Sequence, residues 1–497
     1  MGLEATFEAL LARRKDAGRL RQLTLNPPGA VDFSSNDYLS FAEDAEIQRA
    51  VLARLERRFA TTTTAARTTA AEPTTTSSTL SQDERRILGS AGSRLLDGNS
   101  PLAEGLEAKI AAFHGAPAAL LFNSAYDANV GLLSCAPQVG DVVLYDEAIH
   151  ASVHDGMRLS HASQCIPFSH ASVVVGGEGV GLEGASSGSS TASSTPGVAQ
   201  SINAVLERIT APGYPNAERI RDGGSNVFIC VEGIYSMDGS VLSAVDLVKT
   251  VKKHLPHGNG HIIIDEAHST GVLGPRGRGL VCQYGLEKEI WARVHGFGKA
   301  MGCAGGVVLC SPTTRAYLIN YARTFIYTTS MTLTSLICID TVYDYLAGRH
   351  ADEAHRHLLQ LTDFAYGLLR DICSRHASHD LSSSSGLVHV GSEKPVSGSP
   401  ILPIFTTKPR SLASFCQSKG YMVRPIVAPT VPVGTERVRL CLHAKNTFEQ
   451  IRGLGDVIRQ WIQDQNSGSA AIEGRAALGG ELAMSANGVA RVGKPRL

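Results

Sequence analysis

The chain has 497 residues, and 46 Lys+Arg balance 46 Asp+Glu, so no charge excess exists to displace counterions and a general nucleic-acid binder is not expected. Hydrophobic residues are 43 % and charged residues 19 %, which suits a sizeable core built as two domains, or one large domain with a smaller companion. No apolar run reaches the roughly 18 residues of a membrane span.

In chain order, residues 3–20 carry helical apolar spacing (Leu3, Phe7, Leu10, Leu11) with a basic end at Arg13, Arg14 and Lys15. Acids at Glu4 and Glu8 and the lack of a long apolar core predict neither a secretory signal nor a mitochondrial presequence. Val31-Asp-Phe-Ser-Ser-Asn-Asp-Tyr-Leu39 reads as a short strand entering a polar turn. A stretch near 61–80, dominated by Thr, Ser and Ala, reads as a flexible insertion because it buries little. Helices are then expected at 102–113 and 125–135, and strands at 118–122, 141–145, 227–231 and 261–265. Short unbroken apolar runs of this kind mark strands buried on both faces of a mostly parallel sheet. The Gly- and Ser-rich residues 177–200 read as a second flexible insertion. Beyond about 311, helices at 317–346 and 357–373 and strands at 387–390, 401–405, 422–423 and 438–442 read as a separate α+β unit. The expected organisation is an N-terminal helix and arm (1–45), a large α/β domain (46–315), a small C-terminal α+β domain (316–464) and a flexible tail (465–497). The ten cysteines form no C-x-x-C pair and read as buried thiols of a reducing compartment, and no metal site is expected from the histidine spacing.

Two motifs carry chemistry. In Ile262-Ile-Ile-Asp265-Glu-Ala-His268, an acid ends a buried strand, where α/β sheets place ligands. Burying that carboxylate calls for a cationic partner, although Asp265 reads equally well as a cap for the next helix. In His295-Gly296-Phe-Gly-Lys299-Ala-Met-Gly, a single lysine lies in a Gly-rich, apolar stretch. Desolvation lowers the pKa of such an amine and makes it able to form a Schiff base. A buried carboxylate that keeps a pyridine nitrogen protonated, with a lysine downstream that condenses with an aldehyde, is the pairing that pyridoxal phosphate (PLP) requires.

At these residues, and over most of residues 21–445, the chain resembles the α-oxoamine synthases, fold-type I PLP enzymes with a large sheet domain and a smaller C-terminal domain. Residue by residue, the resemblance implies that Lys299 carries the cofactor, Asp265 binds the pyridine nitrogen, His268 binds the phenolic oxygen and His150, in Asp146-Glu-Ala-Ile-His150, stacks on the ring. It places Ser124, Ala125 and Tyr126 at a helix N-terminus under the phosphate, where backbone N–H groups suit an anion. It puts Ser236, in Glu232-Gly-Ile-Tyr-Ser236-Met-Asp-Gly, beside the cofactor, and has Thr328 and Thr329 reach the cofactor of a neighbouring subunit, hence a homodimer. Arg21, Asn36, Arg424 and Arg439 become substrate contacts, with Arg439 the first choice for the amino acid carboxylate.

The implied reaction is a decarboxylative condensation of an amino acid with an acyl-CoA. The 34–39 turn and the Arg424-Pro dipeptide are most similar to members that join L-alanine to pimeloyl-CoA in biotin biosynthesis. The alternatives are aminolevulinate- or ketobutyrate-type members, a synthase that releases a polyketide onto an amino acid, and a non-catalytic partner subunit, which would lack the lysine. Glycine-rich residues 176–181 give only weak support to a dinucleotide binder. The Pro495-Arg496-Leu497 ending is a loose variant of a peroxisomal address, so peroxisomal import is the expected localisation, with the cytoplasm otherwise. The chain departs from the family at two positions. Gly296 stands where a phosphate-binding Thr or Ser is usual, which leaves His295 as a candidate replacement, and Ala125 stands for a usual Gly.

Overall fold

The computed structural model describes residues 2–68, 88–175, 199–348, 350–375, 388–390 and 398–479. Residues 69–80 of the first expected insertion, 177–198 of the second and 480–497 lie outside them. After helix Leu3–Asp16, strand β1 (Val31–Asp32) leads through a turn to helix Ala45–Thr68. Seven strands follow: β2 (Ala118–Phe122), β3 (Val142–Asp146), β4 (Gln164–Phe168), β5 (Val227–Glu232), β6 (Gly260–Asp265), β7 (Ala292–Gly296) and β8 (Gly306–Cys310). They form one sheet in the order β2-β8-β7-β6-β5-β3-β4. β8 runs antiparallel to both its neighbours, and every other pairing is parallel.

Alternation along the central strands builds two cores. In β6, Ile262 and Ile264 join one apolar cluster while Ile263 joins the other; in β5, Val227, Ile229 and Val231 are divided from Phe228 and Cys230 in the same way. Both faces of the sheet are therefore covered, as its unbroken apolar strands require. Side-chain caps start the flanking helices: Ser100 for Pro101–His114, Ser124 for Ala125–Cys135 and Ser201 for Ile202–Thr210.

The second sheet is antiparallel, in the order β12-β13-β10-β9, from β9 (His389–Val390), β10 (Ile401–Phe405), β12 (Arg424–Ile426) and β13 (Arg437–Cys441). β11 (Tyr421–Met422) pairs in parallel with β1, which ties the N-terminal arm to this C-terminal layer. The arm is pinned further by Cys441 N donating to Phe33 O at 2.9 Å and Ala444 N donating to Tyr38 O at 2.8 Å.

Several elements differ from the sequence expectation. Strand structure in the arm stops at Asp32, because Ser34 N and Ser35 N turn back to donate to the Asp32 carboxylate. Residues 317–346 are three helices, Pro312–Tyr321, Arg323–Ile326 and Leu333–Ala347, the last restarted by a Thr332 cap. Helix Ala45–Thr68 enters the stretch assigned to an insertion. Helix Phe448–Gly479 runs 15 residues past position 464, so residues 465–479 are not a structureless tail: once a helix is nucleated, Ala, Glu, Arg and Leu extend it readily. Among the described residues no helix is long and apolar enough to cross a membrane, and the ten cysteines are free.

Candidate active site

β2, β3, β5, β6 and β7 all point the same way, so their carboxyl ends share one edge of the sheet. That edge carries Ser124 just past β2, Asp146 ending β3, Glu232 ending β5, Asp265 ending β6 and Gly296 ending β7. It is the edge at which open α/β sheets bind ligands.

Asp265 is fixed from two sides. Its Oδ1 accepts from Ala267 N at 2.9 Å, which closes a turn and caps no helix, since none begins there, and its Oδ2 accepts from Asn129 Nδ2 at 2.7 Å. Asn129 also donates to Ser152 Oγ at 3.0 Å, and this joins Asp265 to the turn that carries His150. His150 caps helix Ala151–Leu159, its Nδ1 accepting from Ser152 N at 3.2 Å. Burial first, and then the charge of Lys299, lowers the His150 pKa against the pull of Asp265, so the ring is neutral. Tyr126 lies edge-on to His150 with ring centroids 6.5 Å apart, and its hydroxyl bonds Asp155.

Lys299 is half-buried in the loop between the antiparallel strands β7 and β8. The loop is tight: Phe297 N donates to Gly305 O, Cys303 N to Phe297 O and Gly302 N to Lys299 O, all at 2.8–3.0 Å. Burial lowers the Lys299 pKa and Arg439 adds to this, while Asp265 and Glu232 oppose it. The result is an amine with more of its neutral, nucleophilic form than a surface lysine has.

His268 is buried beneath the N-terminal arm. The Tyr38 hydroxyl bridges His268 Nδ1 at 2.7 Å and Asn36 Oδ1 at 3.2 Å, which leaves Nε2 for a ligand. Burial, reinforced by Lys299 and Arg439, holds the His268 pKa well below the usual histidine value. Arg439, on β13, donates to Ser236 O at 3.0 Å and approaches Ser34 O at 3.4 Å and Asn36 Oδ1 at 3.5 Å. The arm, the Ser236 loop and the C-terminal sheet thus meet at one guanidinium. Replacing Tyr38 by Phe leaves His268 Nδ1 buried without its partner, at a cost of about 1–3 kcal/mol. Turnover is expected to fall roughly 10–100-fold while the protein still folds, as checked by kcat beside a melting curve; unchanged kcat would remove Tyr38 from the site.

Asn123 Nδ2 donates to Thr328 Oγ1 at 3.2 Å and to Thr329 O at 2.8 Å, so these threonines flank Ser124 of their own chain. Arg21 is exposed on the arm, and Arg424 donates to Asn26 Oδ1 at 3.2 Å. No hydrogen bond among the described residues links either to Asp265, His268 or Lys299. His295 does not replace the missing phosphate hydroxyl. Strand alternation turns it to the face opposite Gly296, where Nδ1 bonds Thr270 Oγ1 at 2.8 Å and the ring lies 4.2 Å from His114. The two departures at 296 and 125 are coupled: a Cβ on Gly296 would lie 3.1 Å from Ala267 Cβ and 3.2 Å from Ala125 Cβ. Gly296→Thr alone should therefore lower the melting temperature and the cofactor affinity, and Ala125→Gly should recover both, with a coupling of about 0.5–3 kcal/mol. A fluorescence titration with PLP together with a thermal melt checks this, and strictly additive effects would refute the coupling.

The signals missed in the sequence are Tyr38, Asn129 and Glu232. Glu232 stands directly across from Asp265 in the sheet register. Burial, and then the Asp265 charge, raises its pKa well above the usual carboxyl value, so it is protonated. Its Oε1, with Asn129 Oδ1 and Arg439 Nε, is buried without a hydrogen-bond partner. Orphaned polar atoms converging around a depressed-pKa lysine fit a polar ligand held between the two sheets.

A carboxylate at a strand end, a neutral histidine, a half-buried lysine of lowered pKa and a helix N-terminus share one sheet edge in the manner of a fold-type I PLP-dependent enzyme, and PLP is its cofactor. Residues 197–458 match the family described as aminotransferase class I and II. The chain is 41 % identical to an 8-amino-7-oxononanoate synthase of Emericella nidulans, over 93 % of this chain and 96 % of that one. It is 32 % identical to the aminoacyl transferase sphA of Aspergillus fumigatus, over 89 % and 84 %. In fold it is similar to a serine palmitoyltransferase of Sphingomonas wittichii, with a TM-score of 0.70 at 21 % identity, over 94 % of this chain and all of that one. The chain belongs to the class I and II aminotransferase family, as a member of its α-oxoamine synthase branch.

Proposed function

We propose that the protein joins an amino acid to an acyl-CoA with loss of CO₂ and free CoA, and that the pair is L-alanine and pimeloyl-CoA, giving 8-amino-7-oxononanoate. The observation that carries the reaction class is the grouping of Lys299, Asp265, His268 and Arg439 at one sheet edge; the likeness to the Emericella nidulans enzyme supports the substrate pair. Bound at Lys299, PLP supplies an electron sink for the bond that breaks at the amino acid Cα. Arg439 holds the amino acid carboxylate, with Asn36 beside it. The Lys299 amine takes the Cα proton. Asp265 would hold the ring nitrogen and keep it protonated, His268 would offer its free Nε2 to the phenolic oxygen and His150 would cover the ring. A new C–C bond forms from Cα to the acyl carbonyl carbon, the C–S bond breaks and CoA leaves as a thiolate that takes a proton from solvent, and after the carboxylate leaves as CO₂ the Lys299 ammonium returns a proton to Cα to give the amino ketone. Holding the amino acid at both its nitrogen and its carboxylate fixes which Cα bond lies across the ring, an orientation effect that lowers the barrier.

Thr328 and Thr329 are proposed to serve a partner subunit's cofactor in a homodimer. Peroxisomal import is proposed on the Pro495-Arg496-Leu497 ending, and a fluorescent fusion that keeps this ending and stays cytosolic would overturn it. The likeness to the sphA aminoacyl transferase favours, as a second reading, a different pair of substrates within the same reaction class. The test is CoA release by the PLP-loaded protein, with L-alanine, glycine and L-serine each offered against pimeloyl-, acetyl-, succinyl- and palmitoyl-CoA. Release confined to L-alanine with pimeloyl-CoA supports the proposal. Release with another pair keeps the reaction class and replaces the substrates.

A further inference from the structure

Beside the cofactor edge, a second polar group lies where the large sheet meets the C-terminal sheet. Asp146 is fully buried, and it accepts from Tyr235 Oη at 2.7 Å, from Ala148 N at 2.8 Å and from His170 Nδ1 at 3.0 Å. On the other side of the imidazole, Nε2 lies 2.8 Å from Ser240 Oγ, and Ser240 Oγ donates to Asp238 Oδ1 at 2.7 Å. Asp, His and Ser are in line at hydrogen-bond distances, but the arrangement is not a nucleophilic triad. The single hydroxyl hydrogen of Ser240 is directed to Asp238, so His170 Nε2 must donate to Ser240 Oγ rather than accept from it. With Nδ1 donating to Asp146, both ring nitrogens carry hydrogen and the ring is an imidazolium. A cation is what a fully buried carboxylate needs at this place.

We propose that His170 is a positioning residue, whose imidazolium clamps the 233–240 loop to β3 and so sets the seat of Arg439. Three contacts connect the clamp to the site. Ser236, in the middle of that loop, gives its carbonyl to Arg439 Nη1. Asp238 is shared between His170 Nε2, 3.8 Å away, and Arg437 Nη1, 3.5 Å away and two residues from Arg439 on β13. Gly239 has φ 74°, and a Cβ there would lie 2.1 Å from Ile401 O, so the loop is pressed onto β10 with no room to shift. Asp146, in turn, begins the turn that ends at His150. One side chain therefore ties the stacking histidine's turn to the carboxylate-binding arginine.

The groups facing His170 are Asp146 on β3, Glu147 after it, Tyr235, Asp238 and Ser240 on the loop and, through Asp238, Arg437 on β13. Burial lowers the His170 pKa, but the Asp146 hydrogen bond and the charges of Asp146, Asp238 and Glu147 outweigh it and raise the value above 6.5. Because the folded-state value is raised, the clamp is complete below pH 6.5 and is lost as pH rises through the folded value.

The inference rests on Arg439 gripping the amino acid carboxylate, so its test measures amino acid binding to the PLP-loaded protein and needs no acyl donor. The spectral change of the cofactor on adding L-alanine gives a Kd at each pH. The wild type should bind progressively more weakly as pH passes the His170 value, and His170→Gln should bind about tenfold more weakly at pH 6.5 and lose that limb of the profile. Equal Kd values for the two proteins across the range would overturn the proposal. If His170→Gln fails to fold, an NMR titration of the wild-type His170 ring decides: a value above 6.5 that tracks the Kd limb supports the clamp, and a value at or below 6.5, or one that does not track it, overturns it.

Discussion

Replacing Lys299 by Ala is expected to abolish turnover, by roughly 10⁴-fold or more, and to remove the absorbance band of the lysine-bound cofactor. The amine has two tasks at different moments, carrying the cofactor and then taking the Cα proton, and no neighbouring group can take over both. Arg439 is engaged with Ser236 O, and His268 and His150 are neutral rings with other partners. The loop around position 299 is held by backbone bonds, so the variant should fold and melt near the wild type. Turnover retained in the Ala variant would sink the proposed mechanism outright.

Asp265→Asn is the second large effect, about 10²–10³-fold in kcat. The amide keeps the shape of the side chain, so the cofactor should still bind. The variant lacks the negative charge that keeps the pyridine nitrogen protonated, and the ring becomes a poor sink. The expected signature is a fall in kcat, slowed exchange of the Cα hydrogen with solvent deuterium and a KM for the amino acid that changes little. Near-normal hydrogen exchange would show that the charge at 265 is not what drives the chemistry.

Strands β2, β3, β5 and β6 were legible because they are unbroken apolar runs, whereas β4, β7 and β8 were not, β4 and β7 being interrupted by Pro167 and by Arg293 and His295; Asp265 and Lys299 stood out because a charge beside such a run needs a reason. Tyr38, Asn129 and Glu232 were not legible. Tyr38 acts on His268 from 230 positions away, and Asn129 on Asp265 from 136. Nothing local to a tyrosine in a polar turn announces such a contact. His295 was misassigned for the opposite reason, since closeness in sequence to Lys299 says little when successive strand residues face opposite ways. The stretch 465–479 looked like a tail by composition, but its residues merely prolong a helix that starts at Phe448.

The joining of the arm to the C-terminal sheet has a consequence for biogenesis. Asn36 leaves the ribosome 403 residues before Arg439, which meets it in the finished site. The large sheet and its lysine can be in place well before then, while the amino acid seat waits for β13. A chain cut short before Arg437 would thus carry the large sheet and its lysine without the proposed carboxylate grip, and a strand synthesised long after the large sheet would be the part that completes the pocket.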